Sequence, residues 1–208
     1  STDWDELPEK TKANIQKIGD AAARMQQLIE GILSYSTIDA GAEKQLVNLD
    51  DIVKESLINL EYRIRDTQAM VTTDGLTIAK VIPFQMQQLF QNLIGNALKF
   101  SKKDTPPVIK ISHRFTSRNE IKNGLVSPSN QYLQIDVCDN GIGFDADASE
   151  KIFGLFQRLH GSSAYEGSGI GLAICRKIVE NHGGIIQATS KVGKGSKFTI
   201  ILPYGITQ

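Results

Sequence analysis

Three glycine clusters set the strongest limit on what this 208-residue chain can fold into: Gly141 and Gly143, then Gly167, Gly169 and Gly171, then Gly193 and Gly195. Each falls where a patterned apolar run breaks off, so each marks a turn that an ordinary side chain would crowd. None fits the GxxxxGK[ST] loop or the full GxGxxG dinucleotide spacing. "GKGSK" lacks both the leading glycine and the GK[ST] order. The middle cluster, "GSGIGLAI", runs straight into a helical pattern. Bare backbone N–H groups and the positive end of a helix converge there, which suits a phosphate. The first cluster, in "DVCDNGIGF", stands directly behind Asp139, and a carboxylate repels phosphate. The phosphates therefore go to Gly167, Ser168, Gly169, Ile170, Gly171 and Leu172, and Asp139 is left for another task.

The periodicities between these turns give the fold class. Ile15, Ile18, Ala22, Met25, Ile29 and Ile32 alternate spacings of three and four, a heptad stripe between Pro8 and Gly41. Such a helix either packs on its own domain or forms half of a helical hairpin or dimer seam; the seam is favoured. Beyond Gly41, "QLVNL", "AMVTTDG" and "TIAKV" read as short strands, and residues 50–66 as a helix with an acidic start. "PFQMQQLFQNLIGNALKFSKK" opens on Pro83 and keeps an apolar face. "PPVIKISHRF" and "QYLQIDVCD" alternate as strands, joined by the polar residues 117–130; a helix from Gly169 to Gly184 and two closing strands follow. Mixed elements with antiparallel hairpins predict an α+β fold, a two-layer α/β sandwich with a long N-terminal helix, and not a doubly wound parallel sheet.

Lys plus Arg and Asp plus Glu number 23 each. No net field draws the chain to nucleic acid or to a membrane surface. No apolar run is long enough to span a bilayer, and no secretory leader opens the sequence. Cys138 and Cys175 form no CxxC pair, so both are expected as reduced core thiols of a cytoplasmic protein.

The stretch "NLIGNALKF" carries chemistry of its own. Asn92, Asn96, Lys99 and Phe100 lie at i, i+4, i+7 and i+8 and share one helical face. An amide oxygen is a hard ligand suited to Mg²⁺, and a lysine is a point charge for a phosphate. For any one of these residues a merely wet helix face would be the simpler reading; the combination weakens it.

In order, "NLIGNALKF", "DNGIGF", "IFGLFQRL", "GSGIGLAI" and "GKGSKF" resemble the N, G1, F, G2 and G3 boxes of sensor histidine kinases. These belong to the superfamily that also holds gyrase, a heat-shock chaperone and the mismatch-repair ATPases. The resemblance covers roughly residues 45–205 and implies a Bergerat-type ATP-binding domain at 42–208. Residues 1–41 then look like the second helix of a dimerisation and phosphotransfer hairpin. The resemblance also implies that Asp139 accepts a hydrogen bond from the adenine amino group. Gly141 and Gly143 would let the backbone pass close to ATP. Asn96 would hold Mg²⁺, Lys99 a phosphate, and Phe100 would line the adenine side. Phe153, Phe156 and Arg158 would belong to a lid, mobile over residues 145–165, with Arg158 on the γ-phosphate. Ser196 would support the base pocket.

Hydrolytic members of that superfamily place a water-activating Glu four residues before the Mg²⁺ ligand; here the position is Asn92, and an amide is no general base. The expectation is a kinase that holds ATP for transfer. A non-catalytic nucleotide module and a gyrase-like or chaperone-like ATPase are the alternatives. His113, His160 and His182 all lack the acidic neighbour of a phosphoacceptor, and His182 is placed as a cation at a helix C-terminus. The acceptor is therefore expected on an upstream segment of a larger sensor protein, which could carry any membrane anchor. A response-regulator receiver domain is the expected downstream partner, and a homodimer through residues 8–40 the expected assembly.

Overall fold

The heptad stripe does wind into a helix. The computed structural model describes residues 7–38, 41–121, 127–157, 159 and 168–205. Its first element, α1, spans Glu9–Thr37, and the Pro8 carbonyl accepts the first two helical bonds, from Thr11 and Lys12. Ile15, Ile18, Met25, Ile29 and Ile32 are all exposed. Leu28 and Tyr35, on another face, pack against the core, and Ile38 is buried. A methyl on Gly31 would come within 2.7 Å of Ile170. The C-terminal turns of α1 thus pack on the domain that follows, while the stripe itself is uncovered.

Strand β1 (Gln45–Asn48) pairs antiparallel with β3 (Ile78–Val81) in a small ribbon. The main sheet has the order β2-β4-β5-β7-β6, built from β2 (Met70–Thr73), β4 (Val108–Thr116), β5 (Gln131–Asp139), β6 (Ile185–Lys191) and β7 (Gly195–Tyr204). Among the described residues only the β2–β4 pair is parallel. The largely antiparallel α+β sandwich expected from the sequence is the observed fold.

Period-2 burial supplies the core side of the sheet: Ile109 and Ile111, Leu133, Ile135 and Val137, Ile200 and Leu202. Helix α4 (Pro83–Lys99) lays Met86, Leu89, Phe90, Leu93, Ile94 and Ala97 into the same core. The larger of these side chains each contribute about 1.5–3 kcal/mol when fully buried. Helix α5 (Gly171–Asn181) adds Ile174, Cys175, Ile178 and Val179. With its apolar face committed inward, α4 has one orientation, and the rest of its surface is free to line a site.

Three expectations need correction. The single helix over residues 50–66 is two, α2 (Leu49–Asn59) and α3 (Glu61–Asp66), broken at Leu60 with φ −105° and ψ 5°. Periodicity hides the break, because Leu57, Leu60 and Ile64 keep helical spacing and all pack on the core. Arg63 donates to the Gly95 carbonyl at 3.3 Å and ties the second piece to α4. Cys138 is only half-buried, since on β5 it alternates away from Val137 and the core, whereas Cys175 is buried; burial pushes both thiols up. His182 is no cation. It is buried, and loss of solvent lowers its pKa. The Ile82 N–H donates to its Nε2 at 2.9 Å, so Nε2 must keep its lone pair. Nδ1 then carries the proton and donates to the Ile178 carbonyl at 2.7 Å. The neutral ring staples the end of α5 to the start of α4.

Candidate functional site

A cavity of about 260 Å³ opens between α4, the turn after β5, the start of β7 and the start of α5. The sequence brings four separated stretches to it, because each follows or ends an element whose direction the core has fixed. Asn92, Asn96, Lys99 and Phe100 do share one face of α4, and that face lines the cavity. Asp139, Gly143, Ser168, Gly169, Gly171, Leu172 and Ser196 line it from the other sides.

Asp139 ends β5 and is held by backbone alone. Its Oδ1 accepts the Gly141 N–H at 2.8 Å and the Ser196 N–H at 3.1 Å. Those two bonds occupy Oδ1 and leave Oδ2 to a ligand. Burial raises the Asp139 pKa, and the two backbone bonds oppose the rise without cancelling it. A half-buried carboxylate acceptor at the end of a cavity suits an N–H donor and disfavours an anion.

The glycines of this turn make close approaches, but to the protein's own backbone. A methyl on Gly141 would stand 2.5 Å from the Phe100 carbonyl oxygen, to which Ile142 also donates at 2.9 Å. Gly143 has φ +63° and is pressed against the Lys191 carbonyl. Of the two, Gly143 lines the cavity and Gly141 does not; Gly141 seats the turn on the end of α4.

At the other end, α5 starts at Gly171 with Ile170 as its cap and no side-chain cap bond. The first amides of such a helix have no intrahelical partner and carry the positive end of its dipole. A methyl on Gly171 would lie 3.2 Å from Asn92 Oδ1, so the amide of α4 and the start of α5 face each other closely. Lys99 adds a positive charge on the same wall, 4.6 Å from the Phe100 ring centre. Among the described residues no group of three or more His, Cys, Asp or Glu could hold a metal. Mg²⁺ does not require one. It keeps several waters and binds through one or two protein oxygens plus substrate phosphates, which an Asn96 amide beside a phosphate cradle can supply.

Some expected residues stand elsewhere. Ile170 is fully buried in the core and reaches α1, so it belongs to the scaffold of the cradle. Phe156 is 52% exposed, with φ +62°, and does not line the cavity. Phe153 is buried, edge-on to Phe198 and under Arg176. Ala148 and Ile152 are also buried, while Asp145, Ala146, Asp147, Glu150 and Lys151 are exposed, so three apolar side chains anchor residues 145–153, the first part of the expected lid, to the core. Arg158, His160 and Gly167 lie outside the described residues.

Sequence reasoning missed the apolar wall: Ala97, Ile142, Phe144, Ile152 and Phe198. Phe198 was findable, since it stands two residues after Ser196 on one strand face. Ile152 carried no such signal, because a 3₁₀ turn places it.

A family model described as histidine kinase-, DNA gyrase B- and HSP90-like ATPase matches residues 82–206. Cyanobacterial phytochrome A of Nostoc is 38% identical over 187 residues, 89% of this chain and 23% of that protein. The adaptive-response sensory kinase SasA of Prochlorococcus marinus is 34% identical over 201 residues, 91% of this chain and 50% of that one. The chain therefore spans about a quarter to a half of the curated relatives it matches. The solved complex of histidine kinase ThkA with response regulator protein TrrA is similar in fold, with TM-score 0.64 and 23% identity over 96% of this chain and 53% of that chain.

Proposed function

Because the chain belongs to the histidine kinase-, DNA gyrase B- and HSP90-like ATPase family, we propose that it is the ATP-binding catalytic region of a sensor histidine kinase, and that its cavity holds Mg·ATP for transfer of the γ-phosphoryl to a histidine. Asp139 Oδ2 accepts the adenine N–H, and the wall of Ala97, Ile142 and Phe198 covers the base. The amides opening α5 and the Lys99 ammonium hold the phosphates, with Gly167 and Arg158 assigned there from the sequence alone. Asn96 holds Mg²⁺, which when bound neutralises phosphate charge. The bond from the γ-phosphorus to the ADP oxygen breaks as a bond to an imidazole nitrogen forms, and the imidazole proton leaves to solvent. Positioning and charge neutralisation are most of what such a transfer needs.

The observation that carries the reading is Asn92. It faces the start of α5 at the position where a hydrolytic relative would activate water, and it cannot take a proton. That argues for holding ATP over hydrolysing it. Around this core we assign residues 1–41 to a dimerisation and phosphotransfer hairpin and residues 42–208 to the catalytic domain. The uncovered stripe of α1 is the homodimer seam, and a response-regulator receiver domain takes the phosphoryl onward. The sensory-kinase relative and the kinase–regulator complex of similar fold support this order.

The test is labelling with γ-radiolabelled ATP. The chain should bind Mg·ATP, turn it over slowly, leave His113, His160 and His182 unlabelled, and label an added hairpin domain that carries an acceptor histidine. Rapid phosphate release without an acceptor would make it a hydrolase. Acid-labile, base-stable label on the chain itself would place the acceptor within it.

A further inference from the structure

Ser190, near the end of β6, lines no wall of the cavity, yet it joins three segments that build the base end. Its Oγ accepts the Phe144 N–H at 2.9 Å and donates to the Gly195 carbonyl at 2.8 Å. It also lies 3.2 Å from Ser196 Oγ, a bond in which either hydroxyl could be the donor. Counting protons decides the direction. A serine hydroxyl has one proton and two lone pairs. The proton of Ser190 is spent on Gly195 and one lone pair on Phe144. The second lone pair is all that remains for Ser196, so Ser196 must be the donor.

We infer that Ser190 is a specificity-determining positioning residue: it turns the Ser196 proton away from the cavity, so that Ser196 presents lone pairs to the nucleotide base. The inference rests on the ATP reading of the site. With the carboxyl ionised, Asp139 Oδ2 is an acceptor already, and the Gly141 and Ser196 N–H groups that hold Oδ1 leave it to the base. With Ser190 in place the edge that meets the base is made of acceptors on both sides. An exocyclic –NH₂ satisfies such an edge. The carbonyl oxygen that guanine carries at that ring position meets lone pairs instead. Asp139 supplies the charge of this selectivity, and Ser190 keeps the neighbouring hydroxyl from contradicting it.

Replacing Ser190 by alanine removes the lock and frees the Ser196 hydroxyl to rotate its proton into the cavity, where it can serve a carbonyl. The experiment is calorimetry of ATP and GTP binding to the full chain in its parent, Ser190→Ala, Ser190→Thr and Ser196→Ala forms. The ratio of GTP to ATP Kd should fall about tenfold in Ser190→Ala, the value of one ordinary hydrogen bond. Ser190→Thr keeps the hydroxyl and should restore the ratio. Ser196→Ala, which removes the rotor, should lower the ratio as well, and carries the test if Ser190→Ala does not fold. A scaffold role alone would weaken both nucleotides equally and leave the ratio unchanged; that result, or a Ser196→Ala chain with the parent's ratio, overturns the inference. A parent chain that binds ATP and GTP equally overturns the adenine reading and this inference with it. A parent that prefers ATP and a Ser190→Ala chain that keeps that preference overturn this inference alone.

Discussion

The two ends of the cavity are built differently. At the base end Asp139 is bound by the amides of Gly141 and Ser196, and the turn behind it is bound to the Phe100 carbonyl, pressed on the Lys191 carbonyl and held by the Ser190 hydroxyl. At the phosphate end the groups are side chains on α4 and the uncapped start of α5, facing one another across space. A base presents a fixed hydrogen-bond edge, so its reader gains from being rigid beforehand. A triphosphate with its metal brings charge and its own ligands, so the protein need only supply complementary field and one or two oxygens. On the proposed ATP reading, selectivity concentrates at one end and charge neutralisation at the other.

The largest effect that would break this comparison is at Asp139. Asp139→Ala should weaken ATP by about 10- to 100-fold, the loss of a hydrogen bond to a charged group worth about 1.5–3 kcal/mol. Calorimetry should show GTP, already weak, changing far less. Acid should mimic the substitution. Because burial raises the Asp139 pKa, its acceptor form is lost at a higher pH than for an ordinary carboxylate, and ATP affinity should fall correspondingly early on acidification.

His182 lies away from the cavity, between the start of α4 and the end of α5, and its effect is on stability. Its folded pKa is lowered, so below the unfolded value of about 6.5 the unfolded chain binds the extra proton. The stabilisation is therefore present above that pH and lost as pH falls toward the folded pKa. The slope is at most about 1.4 kcal/mol per pH unit. Urea titrations at several pH values should show this loss, and His182→Gln should flatten it; equal slopes would mean that the neutral staple is not what acid breaks.

At the phosphate end, Asn96→Ala should cost about 2- to 12-fold in ATP affinity with Mg²⁺ and almost nothing without it. Its thermal midpoint without nucleotide should stay near the parent's, since a half-exposed helix position tolerates Ala. A collapse in stability would make Asn96 structural and erase the distinction between the two ends.

The smallest effect is in hydrogen exchange. Residues 145–153, with Ala148, Ile152 and Phe153 buried, should exchange equally slowly with and without Mg·ATP. Ser168, Gly169, Gly171 and Leu172, which line the cavity, should slow when nucleotide is added. Uniform slowing along both stretches would mean that the base end also closes on the ligand and is less preformed than its hydrogen bonds imply.

Much of this was legible in the chain. The apolar face of α4 dictated which residues pointed inward, so the face of Asn92, Asn96, Lys99 and Phe100 followed from spacing alone. The alternation of β4 and β5 marked them as strands, and the order of hairpins argued for an antiparallel sheet. Asp139 could be separated from the phosphates by charge before any fold was known. Phe153 and Phe156 were not separable. Both are aromatic, three residues apart, in a stretch without regular periodicity; one is pinned by Phe198 and Arg176, and the other is exposed. Nor could the sequence say that His182 is neutral, since that depends on the Ile82 amide, 100 residues away.

The sequence by itself determined which groups the site could use, because residue type sets charge, donor count and backbone freedom, and local spacing sets the face of a helix or strand. The tertiary structure alone decided what each group's remaining valences meet. Gly141 closes on Phe100, Ser190 joins Phe144 to Gly195, Ile170 turns from the cradle into the core, and α1 keeps its stripe uncovered while its last turns dock. These contacts join residues distant in sequence, and no local periodicity encodes which of them meet.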